Sequence, residues 1–526
     1  MKRRAFLEAA GVTGIAGVGT VSGRTSTGRA VDESTFGTVV DAAAEGADPT
    51  GEEPVNDVFE EFAGDDTLLQ FEPGTYLIDY FRVGEFDRFG VVGSGEDPAR
   101  FVPAAGDCRG GHPWVHFDNV DSLHLENLLF DFREASSGGP IHLFLHGDST
   151  LRDVRCLGSC SNQIAMVKVE VRDPDGSARI ENLLARNVGD NHSLTGVFVA
   201  QNHAGDLLLE ECTLERFSDN GLYASAPGGP DGNDGRVRVV GGTYRNNNVS
   251  GLRLGTTGSR IADATVVVDD ETPGWGELNA RGIRLRNKSG QVIEGCDITF
   301  GAAAADSFGA IAFHPANGGA LIRDTTITID RPSVPAVRCF PERGDSASSP
   351  VFENCTIRGR SPAGVTGRIE GRDGTVFKNC TIDQRGSDRR GLQFRDSEDC
   401  RIVDSRLTVA NAPVAVDNGT VTIENSTLVT PSGERHIDSR TLADETLRTD
   451  PWVTVPGGEG PAWSLDGDSK LEDVDGDGDA DLFDALHYYN ERDSDAIRNN
   501  PDAFDFDGDG QSGTLFDALQ LYNEIS

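Results

Sequence analysis

One motif recurs between residues 120 and 430, and it constrains the fold more than any other feature of the chain. Each copy alternates apolar and polar residues and breaks at its fifth residue, usually Asn or Asp, as in LHLENLLF, ARIENLLA, PVFENCTI and VTIENSTL. These fifth residues, called anchors below, stand at positions 127, 153, 182, 211, 241, 263, 295, 324, 354, 379, 404 and 425. Successive anchors are 21 to 32 residues apart, which excludes solenoids built from fixed helical repeats.

The period-two alternation and the many β-branched residues predict short strands rather than helices. A second set of strands follows the anchors and begins at residues 196, 221, 251, 282, 310, 336, 391 and 413. Because one strand cannot bury its apolar face alone, two or three strands per turn predict a right-handed parallel β-helix with a shared core. Twelve turns about 4.8 Å apart would form a rod of roughly 55–60 Å.

The anchors are interpreted as a ladder of turn residues whose side chains bond to neighbouring backbone and to one another. Cys212, Cys296, Cys355 and Cys380 directly follow an anchor and are predicted to be small core residues. A bridge between Cys355 and Cys380 is compatible with the spacing of turns but is not required. The nine cysteines include no CxxC pair, so neither a disulfide framework nor a zinc site is expected.

The segment before the repeats predicts a cap for the open end of the rod. Val55, Val58, Phe59 and Phe62 have helical spacing, and a helix there would cover the first turn. The succession GADPTG, amphipathic helix and PGTYLI resembles the start of the pectate-lyase-like β-helix superfamily, over roughly residues 35–430. That superfamily includes polysaccharide lyases, glycoside hydrolases, sugar epimerases and phage tailspikes, so the resemblance implies a mainly β fold without selecting one activity.

The composition is strongly acidic, with 86 Asp and Glu against 47 Lys and Arg, a net charge of −39, and only five lysines. It resembles that of haloarchaeal proteins, in which salt screens the carboxylates from one another. Nucleic acid is excluded as a partner because a phosphate binder needs positive surface. The start, MKRRAFL, resembles a twin-arginine signal over residues 1–30, which implies export to the cell surface or beyond. No stretch is apolar enough to predict a transmembrane helix.

Positions 3 and 5 of the second strands are predicted to face outward, because their apolar residues occupy positions 2 and 4. These outward positions carry Phe198, Tyr223, Arg253, Arg284, Arg286, His314, Arg338 and Arg395. Arginine binds carboxylates through paired hydrogen bonds and aromatic rings pack on sugar faces, so this column predicts a groove that binds an acidic polysaccharide. The alternative is that each arginine pairs with an acidic residue of an adjacent turn and has no ligand.

Two catalytic schemes fit the residues of this face. A lyase removes the proton α to a uronate carboxylate, which requires a group that neutralises the carboxylate and a base. The candidates for that scheme are His192, Tyr223, Arg253 and Arg284. A hydrolase needs two carboxylates flanking the glycosidic bond, a role open to Asp190 and Asp219 on consecutive turns. The alternative for both aspartates is simple turn formation.

The chain ends in a duplication, DVDGDGDADLFDALHYYNE and DFDGDGQSGTLFDALQLYNE. The first copy places acidic oxygens at positions 1, 3, 5, 7, 9 and 12 of a calcium loop, namely Asp473, Asp475, Asp477, Asp479, Asp481 and Asp484. Two loop–helix units in tandem, with Asp at position 12 and no entering helix, resemble a type I dockerin module. The resemblance implies a small α-helical domain that binds two Ca²⁺ ions and docks to a cohesin-like protein.

The second copy contains one extra residue before its LFDAL sequence. Asp505, Asp507, Asp509 and Gln511 keep their loop positions, whereas Asp517 falls at position 13, so a one-residue bulge is predicted. The sequence therefore divides into a β-helix domain at 35–438, a cap and linker at 439–470 and a calcium module at 471–526. The expected function is lyase or hydrolase action on an acidic polysaccharide. The alternative is a non-catalytic cell-surface protein that binds glycan or a protein partner.

Overall fold

The structure is a computed structural model. It describes residues 31–104, 114–133, 141–159, 165–189, 193–273, 279–344, 348–431, 433–447, 453–464 and 470–525. The predicted signal at 1–30 lies outside these residues. The described part is a mainly β, right-handed parallel β-solenoid of about twelve turns, followed by a few small helices. No helix within the described ranges is both long and apolar enough to cross a membrane.

Each turn contributes one strand to each of three parallel sheets, called A, B and C. Sheet A contains Phe81–Gly84, Val115–Val120, Ile141–Leu145, Ala165–Val171, Thr195–Val199, Asn220–Ala224, Ser250–Leu254, Arg281–Leu285, Ile311–Phe313, Val337–Cys339 and Ala363–Glu370. Sheet B contains Thr38–Asp41, Thr67–Phe71, Arg88–Gly93, Ser122–Glu126, Ser149–Arg152, Ser177–Glu181, Asp206–Glu210, Arg236–Val240, Arg260–Ala262, Gln291–Glu294, Ala320–Arg323, Val351–Glu353 and Val376–Lys378. Sheet C contains Thr75–Ile78, Ala99–Pro103, Leu128–Phe132, Arg155–Gly158, Leu184–Asn187, Thr213–Glu215, Thr243–Arg245, Thr265–Val268, Asp297–Phe300, Thr326–Ile329, Thr356–Arg358, Thr381–Gln384 and Arg406–Val409.

The last turns run continuously from one sheet into the next. Asp388–Val403 pairs with strands of sheets A and B, and Val414–Thr430 follows it in register. Gly433–Ala443 and Thr446–Leu447 then pair antiparallel with Val414–Thr430. This antiparallel pairing satisfies the hydrogen-bonding groups that a final parallel strand would leave exposed.

The anchors fix the corner between sheets B and C. All twelve have a positive φ, between +43° and +65°, a conformation that Gly, Asn and Asp adopt more readily than other residues. Their side chains also bond from turn to turn: the Asn379 amide donates to the Asn354 oxygen at 2.8 Å, and Asn425 donates to Asp404 at 2.7 Å. The predicted ladder of turn residues is therefore confirmed.

The rod has the predicted helical cap at its N-terminal end. The helix Asn56–Phe62 buries Val58 and Phe59, and the Phe59 ring stacks on Phe81 with centroids 4.4 Å apart. The aromatic rings thus close the apolar interior that the first turn would expose. The core itself is one continuous cluster of buried side chains from Val40 to Leu447.

The described cysteines all lie inside this core as free thiols. Cys355 and Cys380, on adjacent turns, donate weak hydrogen bonds to backbone carbonyls, and no disulfide joins them. Burial raises the pKa of Cys212 and Cys296 to about 12, so these thiols stay protonated. They are small core residues, as the sequence indicates.

A second, smaller core belongs to the C-terminal helices Leu482–Glu491, Asp495–Arg498, Pro501–Phe504 and Leu515–Ile525. Tyr488 is at its centre: its ring contacts Phe506 at 5.5 Å and its hydroxyl donates to the Phe504 carbonyl at 2.8 Å. The helices meet the β-solenoid through an ion pair between Arg360 and Asp479.

We expect Asn379→Val to lower the free energy of unfolding by about 1–3 kcal/mol, because a β-branched residue is strained at the positive φ of this anchor. Asn379→Gly is the matched control, since glycine accepts this φ and loses only the ladder bonds. Guanidinium unfolding followed by circular dichroism measures both. Equal losses for the two variants would contradict the conformational role assigned to the anchors.

Candidate functional site

The outward column of sheet A runs without a break along the rod. The parallel register places each outward residue directly over the residue at the same strand position in the preceding turn. Phe198 lies beside Tyr223, Tyr223 beside Arg253, and Arg253 beside Arg284. The full column reads Lys168, Phe198, Tyr223, Arg253, Arg284, Ala312, Arg338, Arg368, Gln393 and Ala415. Six of the eight second strands of the sequence prediction belong to sheet A, and the other two lie in Asp388–Val403 and Val414–Thr430, which continue its register.

Tyr223 and Arg253 form a compact unit in the middle of the column. The Arg253 guanidinium lies 3.7 Å from the Tyr223 ring centroid, and its Nη2 donates to the Tyr223 hydroxyl at 2.9 Å. Its Nε donates to the Ser225 hydroxyl at 2.7 Å. Phe198 packs on the other side of Tyr223 with ring centroids 5.0 Å apart. The result is a rigid aromatic surface that ends in a guanidinium group.

Four guanidinium groups gather around this unit, from Arg253, Arg281, Arg284 and Arg286. Burial, together with the neighbouring arginines, lowers the pKa of Arg253 and Arg281 to about 9 and that of Arg284 to about 10. No carboxylate of a described residue forms an ion pair with any of the four. The Nε atoms of Arg281 and Arg286 are buried without a hydrogen-bond acceptor. This concentration of positive charge lies in a protein of net charge −39.

A pocket of about 240 Å³ opens where the column carries the small side chain of Ala312. Its lining residues are Arg281, Arg284, Ala312, His314, Pro315 and Phe340. Burial and the four neighbouring arginines lower the pKa of His314 to about 4, so its ring is neutral at pH 7. Phe308 meets Phe340 edge-on at 5.9 Å and forms an apolar rim. The pocket can hold an anionic, partly apolar group.

Asp219 is the described acidic candidate nearest this cluster. It accepts hydrogen bonds from the Thr195 hydroxyl at 3.0 Å and the Asn220 amide at 2.9 Å. Burial raises its pKa above the ordinary value, although these bonds and the charges of Arg253 and Arg284 oppose the rise. The other two candidates from the polar runs, Asp190 and His192, lie outside the described residues.

Two of the predicted binding residues are neutralised within the protein. Arg338 forms a two-pronged ion pair with Glu370 at 2.9 and 3.2 Å, and Arg395 pairs with Asp417 at 2.9 Å. These pairs follow the alternative interpretation of the column, in which an acidic residue of an adjacent turn balances each arginine. Arg338 still contributes to the site, because its guanidinium lies 4.6 Å from the ring of the pocket residue Phe340.

The sequence analysis missed several residues of this face. Phe340 occupies position 5 of a strand that it did identify, so the outward rule could have found it. Arg368 belongs to the strand Ala363–Glu370, whose glycines and threonine interrupt the alternation of apolar and polar residues that marks the other strands. Arg281 precedes its strand pattern and no sequence signal marks it. His142 and Lys168 extend the column towards the N-terminus, and both have the same outward strand position.

The first C-terminal loop gathers carboxylates around Asp484. One oxygen each of Asp473, Asp475 and Asp484 lies within 4.8 Å of the others, as do those of Asp479, Asp481 and Asp484. Asp484 accepts hydrogen bonds from the backbone of Val474 at 2.7 Å and of Asp481 at 2.8 Å. Burial and nearby carboxylates raise the pKa of Asp473 to about 8, and burial raises that of Asp484 to about 6.

The second loop reproduces this arrangement in spite of its extra residue. Asp517 accepts from the backbone of Phe506 at 2.9 Å and of Thr514 at 2.9 Å, as Asp484 does in the first loop. The extra residue is accommodated at Gly513, whose φ is +84° and whose amide donates to the Tyr488 hydroxyl. Asp505, Asp507 and Asp509 form the third cluster of close carboxylates, and Gln511 follows in the same exposed loop.

The helices after the two loops leave matching apolar faces uncovered. Their exposed residues are Leu482, Phe483, Leu486 and Tyr489 in the first helix and Leu515, Phe516, Leu519 and Tyr522 in the second. Phe483 is 66% exposed and Phe516 is 68% exposed, far more than the buried aromatic residues of the β-solenoid. Apolar surface left exposed in a repeated pattern indicates an interaction face.

Residues 173–434 match the family model described as a right handed beta helix region. The chain has no match among the curated proteins. It is similar to the solved structure of PfbA, a surface adhesin of Streptococcus pneumoniae, with a TM-score of 0.46 and 10% identity over 78% of this chain and 98% of that chain. It also aligns with the A-module of a mannuronan C-5 epimerase of Azotobacter vinelandii, with a TM-score of 0.30 and 12% identity over 74% of this chain and 98% of that chain. At these scores the two structures carry no argument about function.

Without divalent ions, we expect the C-terminal helices to lose stability as the pH rises from about 4 to about 8. The folded state holds protons on Asp473 and Asp484 up to a pKa of about 8 and about 6, whereas the unfolded chain releases them near 3.8. The folded state therefore binds more protons in this range, and its free energy of unfolding falls as they dissociate. Helical circular dichroism during denaturant titration in chelator measures the trend. Asp473→Asn should flatten it, and a stability that rises with pH would contradict it.

Proposed function

We propose that this protein binds an acidic polysaccharide along sheet A. The observation that carries the proposal is the group of four arginines, Arg253, Arg281, Arg284 and Arg286, with which no carboxylate of a described residue forms an ion pair. Burying guanidinium groups without counter-ions costs free energy, so such a group is typical of a site that receives an anionic ligand. Uronate carboxylates match the paired donors of arginine.

The surrounding surface suits a sugar chain. The aromatic surface of Phe198 and Tyr223 offers apolar faces to sugar rings next to the arginines. The column extends over many turns along the rod, so a linear polymer can contact it through several units. One unit would place its carboxylate in the pocket beside Arg281 and Arg284, where Ala312 leaves space.

We further propose that the protein acts on this chain as a lyase. Arg281 and Arg284 would neutralise the uronate carboxylate and so acidify the adjacent C–H group. The Tyr223 oxygen, which accepts a hydrogen bond from Arg253, would act as a phenolate that takes this proton and then, as the phenol, gives it to the glycosidic oxygen. The electron pair of the broken C–H bond then forms a C=C bond as the glycosidic oxygen leaves. Hydrolysis by Asp190 and Asp219 is the second chemistry, and binding without turnover is the non-catalytic alternative.

We expect the protein to bind at least one polyuronate from a panel of purified polymers and to show no binding to a neutral glucan. Arg284→Gln should weaken this binding about tenfold or more, because a hydrogen bond to a charged group contributes roughly 1.5–3 kcal/mol. Calorimetry at matched ionic strength measures affinity. Ultraviolet absorbance of unsaturated products reports elimination, and new reducing ends without absorbance report hydrolysis.

Arg395→Gln is the matched control for Arg284→Gln. It removes the same charge from the same face, but Asp417 already neutralises that charge, so the affinity should change little. Equal losses for the two variants would show a non-specific effect of charge and refute the site. Affinity for a polyuronate without any product would retain the binding proposal and refute the lyase.

We propose a second role for the C-terminal helices, as a calcium-dependent docking module. The carboxylate clusters suit Ca²⁺, which prefers many oxygen ligands and would offset the burial and the repulsion that together raise the pKa of Asp473. The first site would use Asp473, Asp475, Asp477, Asp479, Asp481 and Asp484. The second would use Asp505, Asp507, Asp509, Gln511 and Asp517. The two exposed apolar faces support docking to a cohesin-like protein, on the cell surface or beyond after twin-arginine export.

We expect the wild-type protein to bind two Ca²⁺ ions and Asp484→Asn or Asp517→Asn to bind one, because each carboxylate belongs to a single loop. Calorimetric titration gives the number of ions, and helical circular dichroism shows whether the module stays folded. Asp502→Asn, an exposed acid outside both loops, is the control and should retain two ions. Chelation should abolish docking together with helical structure, since binding energy is also folding energy here. Helicity that is indifferent to calcium would contradict this proposal.

A further inference from the structure

Arg372 is a buried arginine directly beneath the pocket of sheet A. It lies in the turn between the strands Ala363–Glu370 and Val376–Lys378, and its side chain is fully buried. Its Nε donates to the carbonyl of Phe340 at 2.8 Å, and its Nη2 donates to the carbonyl of His314 at 3.0 Å. The guanidinium of this residue therefore connects two turns of the solenoid.

The same guanidinium also holds the turn that follows His314. Its Nη1 donates to the carbonyls of Asn317 and Gly318, the latter at 2.8 Å. The closest carboxylate, that of Glu342, is 3.9 Å from Nη1, so backbone oxygens rather than a counter-ion supply most of the stabilisation. The bonds to Asn317 and Gly318 are buried and those to His314 and Phe340 are partly buried, and each of these carbonyls would lose a donor if the side chain were shortened.

Two of the residues held in this way, His314 and Phe340, form the wall of the pocket, and Pro315 lies between the held positions of the turn. The N–H groups of His314 and Phe340 donate to the carbonyls of Leu285 at 2.9 Å and Phe313 at 3.1 Å, which ties both residues to the preceding turn. Arg372 adds hydrogen bonds to the carbonyls of both residues. A displacement of the order of 1 Å in such a wall is enough to change binding strongly.

We infer that Arg372 is a positioning residue that fixes His314 and Phe340 so that the pocket accepts the acidic sugar unit. This role rests on the proposed binding of an acidic polysaccharide. Arg372 does not itself face the ligand, since its side chain is enclosed in the rod. It acts through the backbone carbonyls that it holds.

The chain contains a matched control in Arg389. This arginine is equally buried. Its guanidinium donates hydrogen bonds to the carbonyls of Val334 and Ala363, each at 2.9 Å, and to the side chains of Ser361 and Gln384. None of these partners lines the pocket. Arg389 therefore has the structural role of Arg372 without its proximity to the ligand.

The test compares Arg372→Lys with Arg389→Lys, because lysine keeps the charge but cannot reach several carbonyls at once. We expect both variants to unfold at lower temperature. Only Arg372→Lys should weaken polyuronate binding, by about tenfold or more. Only Arg372→Lys should move the pKa of His314 from about 4 towards its ordinary value, because a displaced wall exposes the ring to water. Histidine-labelled NMR titration, assigned with His314→Gln, measures that pKa.

The NMR titration needs no ligand and so separates this inference from the proposed function. If the wild-type protein binds no polyuronate but Arg372→Lys still shifts the His314 pKa, the proposed function fails and the positioning of the wall stands. If both variants lose the same stability and neither shifts the pKa, Arg372 is merely structural and the inference is overturned. Arg372→Gln, which buries no charge, provides the same comparison should Arg372→Lys not fold.

Discussion

The structure depends on the parallel register between successive turns. Each turn hydrogen-bonds to the next along three sheets, so a residue at one strand position lies directly over its counterpart one turn earlier. A shift of one residue would exchange the inward and outward faces of every later strand. The anchors protect this register at one corner, through their positive φ and the bonds between their side chains. The fold tolerates loops of different length because each loop joins two strands whose register is already fixed by the sheets.

The same constraint creates the site. Stacking places outward residues in columns, and a column can contain acids that balance its bases or can contain bases alone. Glu370, which stands two residues beyond the counterpart of Arg338 on the next strand, pairs with Arg338, and Asp417 lies directly over Arg395, so these charges cancel within the protein. Around Arg253 and Arg284 the column places guanidinium beside guanidinium and leaves a gap at Ala312. The positive field of the pocket therefore results from an omission of acids at one part of a rod that has an excess of them elsewhere.

The C-terminal helices follow different rules. Each loop contains two buried carboxylates, and one of them, Asp484 or Asp517, is oriented by hydrogen bonds that the backbone donates. The second loop has one residue more than the first and still places its carboxylate correctly, because Gly513 permits the left-handed conformation that the bulge needs. Backbone geometry therefore compensates for a change in spacing. The apolar faces of the two helices face outward, so the small core and the exposed surface are built from alternate sides of the same helices.

The sequence by itself determined the β-helix, its cap, its anchor ladder and the outward column, because each is a local pattern repeated in register. It also indicated the bulge before Asp517, since the intact LFDAL sequence requires one. Only the tertiary structure decided which arginines keep an unbalanced charge, because Glu370 and Asp417 reach theirs from other turns. It alone revealed Arg281 and the support of the pocket by Arg372, a residue 58 positions from His314 in the chain. The reason is physical. Strand periodicity is a property of residues that are neighbours in the sequence, whereas charge balance and pocket shape depend on contacts between distant residues that folding brings together.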